Sequence, residues 1–301
     1  MSQCNAEAVN NLFRKIVQRS TGGTDFTVDR MTGGVVNQVF HVRAGSFDRV
    51  FRLNENCLDV FNKERWAMRC AQVAGVNVPA VSETDELNGI AYMVMQYIPG
   101  TSLKDFAGDR TSVLNDLGRQ LRLINNIPVQ GFGFHLDRSG RSPRFTQSWA
   151  ELINEELEMI LKDDALIKIG ALTREQLDEA VSLIKERLTW NSPASLCHGD
   201  ASADNVIVQA GGTVVIIDWT QTKGGVAPYY DLASWSADPA DFEAVCAGYG
   251  VDHNDAQLKA RCRCVLLTDA LRAAGWAYSV NHPQIGMFAE KAKAAFQHAC
   301  G

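Results

Sequence analysis

Residues 196–219 read LCHGDASADNVIVQAGGTVVIIDW. Two β-rich runs, VIVQ at 206–209 and TVVII at 213–217, flank Gly211-Gly212, so the stretch is a loop followed by a tight hairpin. His198, Asp200 and Asn205 lie in the loop, and Asp218 follows the second strand. A carboxylate and an amide five residues apart on one loop can face the same point. The hairpin then returns a second carboxylate beside them. Oxygen donors of this kind suit Mg²⁺, which keeps some waters and takes its remaining ligands from substrate phosphates. Asn205 and Asp218 are therefore the candidate metal ligands. Asp200, left free, is the candidate base that orients or deprotonates an attacking hydroxyl. Singly these residues mean little, since a loop Asp is most often a cap or turn residue. Their order and spacing carry the reading.

Upstream, the pattern is strand-rich. FTVDRM (26–31), QVFHVRA (38–44) and DRVFRL (48–53) read as three strands, with Gly33-Gly34 between the first two. VFNKERWAMRCAQVA (60–74) is amphipathic at helical spacing and ends at Gly75. VPAVSETD (78–85) and IAYMVMQYI (90–98) are two further strands joined by a turn at Asn88-Gly89. Pro99-Gly100 breaks the last one. A helix over 7–19 precedes this block.

Beyond residue 100 the apolar spacing is helical, over 110–126, over the long stretch 147–190, and over 231–301. Between the first two lies GFGFHLDRSGRSPRF (131–145), Gly-rich and basic, which reads as a mobile surface loop. Strands followed by helices predict an α+β chain with a strand-rich N-terminal lobe, 1–97, a helical C-terminal lobe, 98–301, and a cleft between them.

The composition agrees with an ordinary globular protein. Of 301 residues 46% are hydrophobic and 21% charged, which excludes a mainly disordered or fibrous chain. The net charge of −6 gives no general reason to bind nucleic acid or anionic lipid. The opening residues have no apolar core behind a basic head, and no apolar run approaches a membrane span. The eight cysteines are scattered without a CxxC pair, as expected of reduced thiols in a cytoplasmic protein, monomeric or homodimeric.

The His198-x-Asp200-x₄-Asn205 loop with Asp218 after a hairpin resembles the aminoglycoside phosphotransferase and choline kinase superfamily, over roughly residues 28 to 240. The resemblance implies a two-lobed protein-kinase-like fold with the nucleotide in the cleft. It implies ATP or GTP with Mg²⁺, and a small-molecule hydroxyl as acceptor, cationic in many members. By that resemblance Asp200 is the catalytic base, Asn205 and Asp218 hold the metal, and His198 supports the loop. TGGVVNQVFHV (32–42) is similar to the phosphate-covering loop of the choline-kinase-like branch, with Gly33 and Gly34 admitting phosphates to the backbone and Asn37 bonding locally or to phosphate. Arg52 falls where the family places a cation on the nucleotide phosphates, and Glu64 where it places that cation's partner. MVMQYIPG (93–100) resembles the linker whose backbone, at Gln96 and Ile98, contacts the base.

The acceptor site is less legible. WAELINEELEMILKDD (149–164) carries six acidic residues that could line a pocket for an aminoglycoside-like antibiotic, an aminocyclitol or a sugar, although a charge run on a helix is usually a solvated face. Trp219, Tyr229, Tyr230, Trp235 and Trp276 could instead cage a quaternary amine, as in a choline, ethanolamine or thiamine kinase. Asp231 opens a helix; the resemblance implies structural support, and a capping role would be enough to account for it. A module that binds nucleotide without transferring phosphate would lack Asp200 or a metal ligand, and all are present.

Overall fold

Alternation along two neighbouring strands sets the N-terminal architecture. The structure, a computed structural model, describes residues 3–31, 38–55, 57–140 and 142–300. It opens with α1 (Gln3–Thr21), β1 (Thr27–Arg30), β2 (Gln38–Ala44), β3 (Phe47–Glu55), α2 (Leu58–Val73), β4 (Val81–Leu87) and β5 (Ile90–Gln96). The strands form an antiparallel sheet in the order β1-β2-β3-β5-β4. Because successive strand side chains point to opposite faces, Phe51, Leu53, Tyr92 and Val94 face α1 and pack on its Phe13, Ile16 and Val17. Val50, Ala91, Met93 and Met95 face the other way and pack on Phe61 of α2. Each such fully buried apolar side chain stabilises the fold by about 1.5–3 kcal/mol.

The chain continues with β6 (Thr101–Ser102), α3 (Arg110–Asn125), β7 (Phe132–Asp137), β8 (Arg144–Gln147), α4 (Trp149–Leu161), α5 (Ala165–Lys168) and α6 (Arg174–Glu186). It ends with β9 (Ser195–Cys197), β10 (Val206–Val208), β11 (Val214–Ile216), β12 (Lys223–Gly225), α7 (Tyr229–Leu232), α8 (Pro239–Tyr249), α9 (Ala256–Ser279) and α10 (Ile285–Cys300). The expected α+β arrangement is thus present, with the hairpin β10–β11 where the sequence placed it. Among the described residues no helix is long and apolar enough to cross a membrane. The described cysteines Cys57, Cys70, Cys197, Cys246, Cys262, Cys264 and Cys300 are free thiols.

One expectation needs correction, and the helical spacing of 147–190 holds in separate pieces. Residues 131–145 are not a free loop: β7 and β8 form a hairpin in a sheet ordered β8-β7-β12-β9. Gly131 sits at φ +73°, and a Cβ there would meet the Phe145 carbonyl oxygen at 2.1 Å, so Gly131 serves close strand contact. Residues 147–190 are not one helix. Asp163 and Asp164 adopt φ 58° and 51° and break the chain after α4, and Thr173 restarts it with a capping box to Gln176.

α2 joins the two halves. Its Phe61 lies on the N-terminal sheet, while Ala67, Met68 and Ala71 enter the main core with α3, α8 and α9. Just beyond it, Asn77 donates through Nδ2 to the Val214 carbonyl at 3.1 Å and accepts from the Ile216 amide at 3.0 Å. These bonds fix α2 against the hairpin that delivers Asp218.

Candidate active site

Arg52 alternates with Phe51 and so leaves β3 on the α2 side, 5.6 Å over the Phe61 ring. Its Nη1 bonds Glu64 Oε2 of α2 at 2.5 Å. Its Nη2 donates to Asp218 Oδ1 at 3.1 Å and to Thr220 Oγ at 2.8 Å. Arg52 is 4% exposed and Glu64 is fully buried. Burial alone would lower the Arg52 pKa, but the Glu64 and Asp218 carboxylates outweigh it and hold the guanidinium charged. Burial raises the Glu64 carboxyl, against the pull of Arg52. Removing either partner would strand the other charge in the interior.

Asp218 follows β11 at φ 53°, ψ 75°, a left-handed conformation that Asp tolerates better than most residues. Its Oδ1 accepts from the Thr220 hydroxyl at 2.6 Å and from Arg52, which leaves Oδ2 outside these bonds. Burial works against the charged form here, but Arg52 and Thr220 together outweigh it and hold the carboxyl below its ordinary range. The side chain is 44% exposed, the open edge of an otherwise closed network.

The loop after β9 is held from behind. Asp231, fully buried, accepts the His198 amide at 3.2 Å, the Gly199 amide at 2.7 Å and Asn125 Nδ2 at 2.7 Å. It makes no cap, so its sequence reading as a helix opener is replaced by a grip on the loop backbone. The buried His198 ring donates through Nε2 to the Ile217 carbonyl at 3.0 Å, accepts the Asp200 amide at Nδ1 at 3.3 Å, and meets Trp219 edge-on. Both nitrogens are satisfied, which makes it a structural histidine. Gly199, at φ +78°, leaves no room for a Cβ, which would lie 2.4 Å from the Gln221 carbonyl oxygen.

Asp200 then emerges exposed, with Asn205 Nδ2 donating to its Oδ2 and to its carbonyl, both at 2.9 Å. Partial desolvation by the neighbouring protein is the chief cause that raises its carboxyl pKa, with Asp218 and Asp269 adding like charge and His198 and Asn205 opposing. Among the described residues no three His, Cys, Asp or Glu side chains enclose a metal. The available donors are the carboxylate of Asp218 and the amide oxygen of Asn205, whose nitrogen is spent on Asp200. Such a pair fits Mg²⁺, which takes only one or two protein oxygens and fills its octahedron with phosphate and water.

Other candidates are placed less centrally. Gln96 ends β5, exposed, and its amide is committed to the Ala80 carbonyl at 2.8 Å. Ile98 is buried just before Pro99. Gly33, Gly34 and Asn37 lie outside the described residues.

The five aromatics do not form one cage. Trp219 is buried under the loop, Trp235 is buried, and Trp276 is 41% exposed beside His282 and Phe288. The aromatic pocket that does exist, of Trp149, Trp190 and Tyr230, is filled by the chain's own Arg187, 5.3–5.7 Å from the three rings. Tyr229 stacks under Arg261 instead. The acidic helix is also largely engaged: Glu151 closes a capping box, Glu155 accepts from Gln147, Glu156 binds Arg187 at 2.6 Å, and Asp164 binds Arg174 at 2.7 Å.

Three residues about the site carried no sequence signal. Lys63 donates from α2 to the carbonyls of Thr220 at 3.1 Å and Thr222 at 2.8 Å, and burial pushes its pKa down to about 8. Thr220 bridges the network, and Asn125 shares Asp231. Hydroxyls and amides of this kind have no periodicity to read.

A family model described as "phosphotransferase enzyme family" matches residues 27–263. Among solved structures, aminoglycoside phosphotransferase APH(4)-Ia superposes with a TM-score of 0.73 at 18% identity, covering 95% of this chain and 98% of that one. The GDP and kanamycin complex of APH(2")-IIia superposes at 0.70, with 14% identity and 96% and 98% coverage. Spectinomycin phosphotransferase APH(9)-Ia, with ADP and spectinomycin, superposes at 0.60, with 15% identity and 92% coverage of both chains. At these identities the likeness is one of fold. No curated protein matches by sequence.

Proposed function

The chain belongs to the phosphotransferase enzyme family, and from that premise we propose that it moves the terminal phosphoryl group of ATP, or GTP, to a hydroxyl of a small molecule. The observation that carries this reading is that the Ile217 amide, next to Asp218, donates to the Asn205 carbonyl at 2.9 Å, which sets the Asp200–Asn205 pair beside Asp218 and its Arg52–Glu64 pair. A base, an oxygen-ligand pair and a buttressed cation are the parts that phosphoryl transfer needs, because its catalysis is mostly positioning and charge stabilisation.

In this reading residues 1–97 form the nucleotide side and 98–301 carry the catalytic loop and the acceptor side. The Gly33-Gly34 segment and Asn37 cover the phosphates. The backbone about Gln96 and Ile98 meets the base, with Ile98 the better placed because the Gln96 amide is already bonded. Arg52 contacts the phosphates, and Glu64 aims it. Asn205 and Asp218 would hold Mg²⁺, which would supply charge neutralisation for the phosphates. Asp200 orients the acceptor hydroxyl and takes its proton. The oxygen of that hydroxyl bonds to phosphorus as the bond to the departing diphosphate breaks. Asn205, bonded to Asp200, keeps the base turned towards the acceptor.

The acceptor is of the aminocyclitol or sugar type. The fold neighbours solved with kanamycin and spectinomycin support this class. The filling of the aromatic pocket by Arg187 weighs against a quaternary-amine acceptor. A coupled assay of nucleoside diphosphate release, run against aminoglycosides, aminocyclitols, sugars, choline, ethanolamine and thiamine, tests both halves. Turnover with a polyol is the expected result. Turnover with choline alone would replace the acceptor class, and none with any alcohol would remove the transfer reading.

A further inference from the structure

We propose that Thr220 is a positioning residue that couples metal binding to nucleotide-phosphate binding, an inference that rests on the phosphotransfer reading above. Its hydroxyl lies 2.8 Å from Arg52 Nη2, 2.6 Å from Asp218 Oδ1 and 3.1 Å from Glu64 Oε1. It therefore touches the phosphate cation, that cation's partner and a metal ligand at once. A hydroxyl has a single proton and two lone pairs. Arg52 donates to a lone pair, so the proton goes to one of the two carboxylates, and the shorter contact gives it to Asp218.

This choice has consequences on both sides. The hydroxyl gives Asp218 Oδ1 a second donor beside Arg52, which pins a half-exposed carboxylate and leaves Oδ2 for a metal. It also gives Arg52 a neutral acceptor beside its two acidic ones. When a cation draws on Asp218, the hydroxyl can turn its proton to Glu64 Oε1 while still accepting from Arg52. Arg52 is then released from Asp218 towards phosphate without losing its place over α2. Without the hydroxyl, Arg52 keeps only its two carboxylate partners and Asp218 only Arg52 and the Thr220 amide at 3.4 Å, so each ligand must break the Arg52–Asp218 bond unaided.

The backbone at this position is held independently. Lys63 binds the Thr220 and Thr222 carbonyls, and the Thr222 amide donates to the Trp219 carbonyl at 3.0 Å. A side-chain replacement therefore leaves the segment in place.

The test is a thermal-shift cycle on the whole chain, with Mg²⁺ alone, ATP alone and both, in wild type, Thr220→Val, Thr220→Ala and Thr220→Ser. Wild type and Thr220→Ser are expected to show a larger shift with both ligands than the sum of the two separate shifts. In Thr220→Val and Thr220→Ala that excess should vanish. Half-saturating Mg²⁺ in the turnover assay should rise about tenfold, the order of one hydrogen bond to a charged group, with a smaller change in kcat. A merely structural threonine would lower the ligand-free melting temperature and leave the excess shift intact. That outcome in both Val and Ala variants overturns the proposal while sparing the phosphotransfer reading. An absence of any excess shift in wild type overturns both.

Discussion

Two buried arginine–glutamate pairs in this protein are chemically alike and placed for different work. In one, Arg52 and Glu64 meet at 2.5 Å; in the other, Arg187 and Glu156 meet at 2.6 Å. Both arginines lie over aromatic rings. The first pair continues into Asp218, which is 44% exposed. The second continues into Arg272, Thr268 and Tyr230, with Arg187 and Glu156 both sealed from solvent. Burial and ion pairing are thus common to both, and what separates a candidate site from a structural strut is an open edge. A sealed pair returns its desolvation cost only as local order, whereas an open one can exchange an internal partner for a ligand.

The sharpest way to break this comparison is to truncate the sealed pair. Arg187→Ala strands Glu156 and should cost about 3–5 kcal/mol. The ligand-free melting temperature should fall by roughly 5–8 °C, while the folded fraction keeps the KM for ATP of wild type. A raised KM with normal stability would mean that the second pair also reads ligand.

The open edge should respond in the opposite sense. Asp200→Ala is expected to reduce turnover by ~10²-fold or more, the scale of lost general base catalysis, with the nucleotide-induced thermal shift within a few-fold of wild type. Near-normal turnover would take the base role from Asp200. Asp218→Asn should both collapse activity and make the ATP-induced shift indifferent to Mg²⁺, because an amide replaces the charged ligand. A shift that still depends on Mg²⁺ would place the metal elsewhere.

Within the first pair, Arg52→Ala should raise the KM for ATP and lower kcat, and Glu64→Ala should do the same more weakly. The double variant should be no worse than Arg52→Ala, since residues acting as a unit are non-additive. Additive losses would show that Arg52 works without Glu64.

The smallest expected effect is electrostatic. Loss of water in the cleft, then Asp218 and Asp269, raise the Asp200 carboxyl above the ordinary carboxylate value. A base must be ionised, so kcat/KM should fall as pH drops through that raised value. Asp269 is about one-third exposed and is held by Arg272 at 3.2 Å and Lys223 at 3.9 Å. Asp269→Asn removes a like charge, so the acid limb of the pH profile should move to lower pH by a few tenths of a unit. A limb that stays put or moves upward would show that Asp269 does not act on the base.

Local chemistry made much of this legible beforehand. The loop carrying His198, Asp200 and Asn205 and the hairpin before Asp218 are contiguous, so their spacing alone places them together. DRVFRL and IAYMVMQYI read as strands, and the structure has them as β3 and β5. The Arg52–Glu64 pairing came through family resemblance, and the structure puts the two in contact. The reading failed where glycine was taken as freedom rather than close contact, in the β7–β8 hairpin. The aromatics Trp219, Tyr230 and Trp235 lie in the core, where such residues most often stand.

The sequence by itself determined β1–β5, the β10–β11 hairpin, the helical character of much of the chain beyond residue 100, the candidate loop constellation and the absence of a CxxC pair, because each depends on neighbours within a few residues. Only the tertiary structure decided that Asp231 grips the loop rather than caps a helix, that Arg187 occupies the aromatic pocket, and that Thr220 stands among Arg52, Glu64 and Asp218. Those roles are set by partners up to 168 positions apart. A single hydroxyl, carboxylate or guanidinium becomes specific only when burial removes water as its alternative partner.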